Sequence, residues 1–539
     1  MMRRTRLMLT LTLGATALLA LTVLLPDLAS AQAPKRGGTL RVSYGNDINH
    51  LDFHTGSGYE MMWVAMNVGC GLVDITPDGK FVGDAAESWQ LSPDGLIYTF
   101  KLRKNVLFHD GTKMDAAAVK FSIDRLMNPE TKSAMRPFYE PVHSVEVLDP
   151  HTLQVRLKHP YGFFLHMLAA YRTGLVIYHP AATQKYTLKD RQQGKPEALP
   201  GCGPFKLIEW VKGSHLVMDR FDKYFMPGQP YLDRIMIRTI KDPVTEMAAF
   251  KAGETDFIAS FSPEHVDTLK AQMPKAQFMT GKETTPMIFK FKVTVPKDGK
   301  PHSKDRAPHP IFHDVRVRKA VGCFGVDRQE IVKIAFKGQA TPWVGIIPPG
   351  TLDAVDVNHL CPYDQAKAKA LLAEAGYGPS KPLVFEVITS SEKSVFAVIA
   401  TVIKEQLARI GVTANIKVVD KVTWMNTALE DGPWDAEVED LLSLLTLDSN
   451  AYLSAVGARW NQSRHQDMKV NDYYARYARE LDTGKRKALA KEFVEYMVDK
   501  LYWNNISGSP FYMVAQPYVR GYTYNAEFEV HWDTVWLDK

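Results

Sequence analysis

Two histidine constellations in this chain have spacing that chemistry could use. His109 and Asp110 are adjacent in Phe108-His109-Asp110-Gly111. Such a pair can act in a catalytic relay when a nucleophile completes it. No Gly-x-Ser-x-Gly run and no cysteine in a known nucleophile context accompanies it, so the two residues read as shaping a tight turn. His309 and His313 stand at i, i+4, which on a helix would place two metal ligands on one face. Pro310 lies between them and the His-Glu-x-x-His pattern is absent, so no metal site is expected. The four cysteines, Cys70, Cys202, Cys323 and Cys361, form no Cys-x-x-Cys and have no histidines at zinc-finger spacing. The residues point to no catalytic group and no cofactor.

The elements around these residues are legible. Ser92-Pro93-Asp94-Gly95 is turn chemistry, and Tyr98 to Leu102 has the character of a half-buried strand. Asp115 can cap a helix on which Val119, Ile123, Leu126 and Met127 share one apolar face. Val145 to Leu157 reads as a hairpin around Asp149-Pro150-His151, and Phe163 to Tyr171 as core. Asp364 caps a helix that Gly376 ends. Ser394 starts another, with Val395, Ile399, Val402, Ile403 and Leu407 on one face and Gly411 as its stop. Val412, Ala414, Ile416 and Val418 then alternate as a strand, so strand-helix-strand order implies a parallel crossover. Lys485 to Lys500 is an amphipathic helix.

The chain of 539 residues is too long for one core. With 45% hydrophobic and 23% charged residues it is globular. A net charge of +5, with no basic block beyond the N-terminus, gives no reason to expect nucleic acid as a partner. Residues 1–31 read as a signal peptide: Arg3, Arg4 and Arg6, an apolar run from Leu7 to Leu25, and Ala29-Ser30-Ala31 as the cleavage site. No cysteine sits there to carry a lipid anchor, so a freely soluble periplasmic protein is expected.

One set of motifs goes further. Ala86-Glu87-Ser88-Trp89, Asp94-Gly95-Leu96-Ile97-Tyr98-Thr99-Phe100 and Phe108-His109-Asp110-Gly111-Thr112 strongly resemble the peptide/nickel-type extracellular solute-binding proteins of ABC transporters, solute-binding family 5. So do Gly201-Cys202-Gly203-Pro204-Phe205, Asp314-Val315-Arg316-Val317-Arg318, Tyr363-Asp364 with Leu371-Leu372-Ala373-Glu374-Ala375-Gly376, and Val519-Arg520-Gly521-Tyr522. The resemblance implies an α/β, two-lobed periplasmic-binding-protein fold of the large class, with hinge-connected lobes. Lobe I would take residues 32–283, with an extra subdomain at about 60–195. Lobe II would take 284–505, and 506–539 would return to lobe I. Cys70–Cys202 and Cys323–Cys361 would each stay within one lobe; buried free thiols fit the sequence equally well.

The implied function is capture without chemistry, by a monomer that takes a peptide or small solute between closing lobes and docks on an inner-membrane ABC permease. The loop from His54 to Glu60 would face the cleft, making Ser57 and Tyr59 candidate contacts. In peptide-binding relatives an aspartate after a Phe-Asp strand pairs with the ligand ammonium, and Asp448 is the best match here. Glu439-Asp440 stands where relatives have Gly-Trp, and Trp434, which opens that strand, is a candidate for stacking on the ligand. No arginine lies in Thr389-Ser390-Ser391-Glu392-Lys393, where dipeptide binders hold the ligand carboxylate. Acidic Glu439, Asp440 and Asp448 would instead favour a cationic or polyhydroxylated solute. The alternatives in other classes are a secreted hydrolase and a binding protein used as sensor or chaperone.

Overall fold

The computed structural model describes residues 33–539 apart from 49, 57–58, 134, 170–173, 262, 281–284, 348, 350–352, 441–453, 457, 459–460, 462, 510–511 and 524–530. The chain opens with β1 (Thr39–Tyr44) and α1 (Tyr59–Val68). A short hairpin follows, β2 (Val73–Ile75) and β3 (Phe81–Gly83). Next comes a four-stranded antiparallel sheet: β4 (Ala86–Leu91), β5 (Ile97–Leu102), β6 (Val142–Asp149) and β7 (Thr152–Leu157). The helix α2 (Ala116–Met127) packs on this sheet.

The chain then runs through β8 (Phe205–Val211), β9 (His215–Arg220), β10 (Arg234–Thr239), α3 (Pro243–Lys251), β11 (Phe257–Phe261) and β12 (Gln277–Thr280). A second large sheet begins with β13 (Thr285–Phe291), after which β14 (Thr294–Pro296) and β15 (Arg306–Pro308) form a small hairpin. Then come α4 (Gln365–Glu374), β16 (Leu383–Ser390), α5 (Ser394–Ala408), β17 (Val412–Val419), α6 (Lys421–Trp424) and β18 (Ala436–Asp440). Two antiparallel-packed helices, α7 (Met468–Arg479) and α8 (Thr483–Lys500), lead to β19 (Asn505–Ser509) and β20 (Tyr512–Ala515).

Two sheets define two lobes. The first has the order β12-β20-β11-β1-β10-β9-β8, with β1 parallel to β10 and β11. The second has the order β17-β16-β18-β13-β19, with β16 parallel to both β17 and β18. The chain passes between the sheets twice, after β12 and after β19. β19 keeps residues 505–509 in the second sheet, and the first resumes at Tyr512. The first lobe's core gathers Leu40, Val42, Trp63, Phe205, Ile235, Phe257 and Met513. A second core runs from the four-stranded sheet into the second lobe, where the rings of Phe163 and Tyr477 lie 5.2 Å apart.

Local signals act as read. Asp115 and Asp364 accept from the N–H of Ala118 and Lys367, capping α2 and α4. Gly376 and Gly411 take left-handed backbone where α4 and α5 stop. The Gly-Cys-Gly run has a spatial cause. A Cβ at Gly201 would stand 1.8 Å from the Val68 carbonyl oxygen, and one at Gly203 would stand 2.4 Å from that of Gly69. Only glycine lets this segment cross the end of α1 so closely. Between them Cys202 is bonded to Cys70, and Cys323 to Cys361, which resolves the sequence's open choice between bridges and free thiols. The His109-Asp110 turn is tied to the same place: His109 N–H donates to the Gly201 carbonyl, and its Nε2 lies 3.0 Å from that of Gly203. His109 is therefore a half-buried strut. His309 is engaged as well, accepting at Nδ1 from the Ile311 and Phe312 N–H groups and facing Asp435 at 3.2 Å through Nε2.

Candidate ligand-binding site

In open α/β sheets, ligands bind beyond the carboxyl ends of parallel strands. Both lobes turn such ends toward one another. On the first lobe the end is that of β1, at Tyr44 and Asn46, beside the start of α1. On the second it is formed by β16, β17 and β18, whose last residues lead into Glu392-Lys393, Asp420-Lys421 and Asp440.

The first wall is set by Asp52. Its carboxylate has no exposure, and Oδ2 accepts from Arg125 at 2.6 Å and Arg191 at 2.9 Å. Oδ1 accepts from the His54 N–H, and the Asp52 carbonyl accepts from the N–H groups of Thr55 and Gly56. The Phe53 N–H donates to the Tyr178 hydroxyl, and the Arg125 guanidinium lies 4.7 Å from the Tyr178 ring centre. Burial alone would raise the Asp52 pKa, but Arg125, His54 and Arg191 together hold it below the usual range. This clamp fixes the turn leading into α1, and with it Glu60. Burial raises the Glu60 carboxyl; Asn46 and Tyr44 partly offset that by hydrogen bonding, and Glu392 of the other lobe raises it further. The Glu60 and Glu392 carboxyls, one from each lobe, are thus near enough to interact.

The second wall comes from the period-two alternation of β18. Glu437 and Glu439 share one face; Ala436 and Val438 share the other, and all four are fully buried. Glu437 pairs in register with Lys290 of β13. Burial drives both toward their neutral forms, Glu437 upward and Lys290 downward, while each opposes the other's shift. Glu439, nearer the strand end, has Lys421 Nζ at 3.7 Å. Burial pushes its carboxyl up to about 8, with Lys421 opposing and Asp440 adding to the rise. Lys421 also holds Glu392 at 2.6 Å, and Lys393 donates to Asp440. The cluster therefore has three carboxyls against two ammonium groups, one carboxyl poised to titrate near neutrality. It can accept a cation, which would hold Glu439 ionised.

Of the residues singled out from sequence, Glu439 and Asp440 come together at this strand end. Trp434 does not join them. It is 5% exposed and packs with Trp424, Ala428 and Ile388 behind the strand. Ser57, Asp448 and the side chain of Tyr59 lie outside the described residues. Sequence reading missed Glu60, Glu392, Lys393 and Lys421. The signal for three of these was available: they directly follow the ends of strands β16 and β17.

Two lobes with facing strand ends and a charged gap between them are the arrangement of a two-lobed solute-binding protein. The profile of the bacterial extracellular solute-binding proteins, family 5, matches residues 80–463, and the chain belongs to that family. It is 32% identical over 402 residues to the glutathione-binding protein GsiB of Salmonella paratyphi A, covering 74% of this chain and 71% of that one. The GsiB of Escherichia coli K12 is 31% identical over the same coverage. Among solved structures, the substrate-binding protein CtaP of Listeria monocytogenes superposes with a TM-score of 0.80 at 21% identity, covering 94% of this chain and 100% of that one. AgaA from A. tumefaciens R10, in complex with agropinic acid, gives 0.76 at 25% identity, over 93% and 99%. The chain is thus the extracytoplasmic solute-binding component of an ABC import system, in a family of binding proteins and not of enzymes. Among the described residues, no helix is long and apolar enough to cross a membrane.

Proposed function

We propose that the chain captures, without chemistry, a small peptide-class solute bearing an ammonium group, and delivers it to an inner-membrane permease as a monomer released from a cleaved signal peptide. The observation that carries this reading is the acid-rich cluster of Glu392, Glu439 and Asp440 facing Glu60 across the gap. With Glu439 protonated the cluster is balanced; a cation between the lobes stabilises the form in which Glu439 is ionised and three carboxylates stand against two ammonium groups, so the ligand favours the closed form. Lobe I (32–283 with its subdomain), lobe II (284–505) and the returning tail are the moving parts of this reading. Asp448 follows β18 in the sequence, and Ser57 and Tyr59 precede Glu60.

The relatives named for glutathione make that tripeptide the first solute to test, since it carries one ammonium group. Native mass spectrometry of the protein, gently purified from a periplasm, reads out the adduct mass. A discrete adduct that fragments to an amine-bearing peptide supports the proposal. An adduct that is an anionic sugar or contains no basic nitrogen contradicts it.

A further inference from the structure

The geometry points to a second binding site, for a small organic cation bearing an ammonium or guanidinium group, in a cavity of about 250 Å³ between the first lobe and the β2–β3 hairpin. Segments far apart in sequence build it. Met66 comes from α1, Asp74 from β2, and Asp84 from the turn after β3. Tyr224 comes from the segment after β9, and His531 and Asp533 from the C-terminal tail.

The charges there are unbalanced. Asp74 accepts from its neighbour's N–H, that of Ile75, at 2.7 Å and has His531 Nε2 at 3.3 Å. Asp84 accepts from the Gly71 N–H at 2.7 Å. Arg103, the nearby guanidinium, donates to the backbone carbonyls of Asp84 and Gly83, not to the carboxylate. Asp533 is 9% exposed, and its Oδ1 has no hydrogen-bond partner among the described residues. The carboxylate's other support is the backbone N–H groups of Asp533 and Thr534 and the nearby His531, and a buried carboxylate with one oxygen unmet is costly unless a cation meets it. Consistent with that, burial and the Asp74 charge push Asp84 up to about 8, and burial pushes Asp533 upward although His531 opposes it. Burial also raises Tyr224, which therefore contributes a neutral hydroxyl and a ring face.

The cation is organic for two reasons. Among the described residues, no three His, Cys, Asp or Glu side chains converge closely enough to hold a metal ion. The wall also carries Met66, Met226 and the Tyr224 ring, which suit the carbon atoms of an amine. The volume is below that of drug-sized pockets, so the ligand is small. The site is separate from the gap between the lobes. Glu60 lies in the first turn of α1, whereas Met66 is in its last turn and Gly69 just past its end, about 9 to 14 Å further along the helix axis.

Differential scanning calorimetry with ethylammonium chloride and methylguanidinium chloride tests this, against sodium chloride and calcium chloride at equal ionic strength. The proteins compared are wild type, Asp533→Asn, Asp84→Asn and Glu439→Gln, all as the full mature chain. A saturable rise of about 2 °C or more in wild type is expected with the organic cations. It persists in Glu439→Gln and is lost in both aspartate variants; if Asp533→Asn does not fold, Asp84→Asn carries the comparison. No rise beyond sodium chloride, a rise that survives the aspartate variants, or a rise with calcium alone overturns the site. A rise lost in Glu439→Gln but kept in Asp84→Asn places the cations in the gap between the lobes, which overturns this site while leaving the proposed function standing.

Discussion

Asp52 and Glu439 are equally buried carboxyl groups, one on each lobe, and they are treated in opposite ways. Asp52 has two guanidinium groups within 2.9 Å and the His54 backbone N–H besides, and is held ionised. Glu439 has its nearest cation, Lys421, at 3.7 Å, and that lysine is shared with Glu392. A carboxylate that is completed by its own protein holds structure; one left short of a cation is available to a ligand.

Breaking the first should cost the most. Asp52→Ala leaves Arg125 and Arg191 buried without their counter-charge, so unfolding in denaturant should show a loss of about 3–5 kcal/mol. Glu439→Gln should do the reverse of that pattern. It removes a carboxyl that burial already disfavours, so stability at pH 8 should hold or rise. Affinity for an ammonium-bearing solute should fall roughly 10- to 100-fold by calorimetry.

The pH dependence sharpens the contrast. Glu439 and Asp84 titrate at about 8, and Glu246 at about 7, all through burial and all above their unfolded values. Each binds its proton more tightly folded than unfolded. Its stabilising contribution is complete below the unfolded pKa and is lost as pH rises through the folded one. Buried His54, His109, His166 and His465, all lowered by burial, oppose this below about pH 6.5, so the thermal midpoint should fall between about pH 7 and pH 8.5, and fall less in Glu439→Gln. Asp52 has the opposite sign: its contribution is present above the unfolded carboxylate range and is lost as pH falls through its depressed folded value. The smallest effect belongs to Lys393→Ala. The side chain is 49% exposed, and surface pairs of this kind contribute about 1 kcal/mol or less, so affinity should change less than roughly fivefold.

The same contrast explains what could be read in the sequence. Caps, stops and periodicity are local, so the α2, α4 and α5 helices and the β16–β17 strand pair were legible from Asp115, Asp364, Gly376, Gly411 and the apolar spacing. The family motifs were legible because close approaches, such as Gly201 and Gly203 across α1, leave fixed residue types behind. Glu439 and Asp440 were visible because they interrupt an expected Gly-Trp pair. Glu392 and Lys421 had only the weaker signal of standing just past the ends of β16 and β17, and Glu60 acquires its meaning only from the fold. Trp434 shows the converse: an aromatic at the right place in the chain whose strand turns it toward packing. Asp533 had no sequence signal at all, because its deficit of partners is a property of the fold.

The most direct test of the account is the dissociation constant of the amine-bearing solute, measured from pH 6 to 9 for wild type and Glu439→Gln. If Glu439 supplies the negative charge, wild-type affinity rises as pH approaches about 8 and then levels, while the variant is weaker and flat. Equal affinities with parallel pH profiles would contradict it.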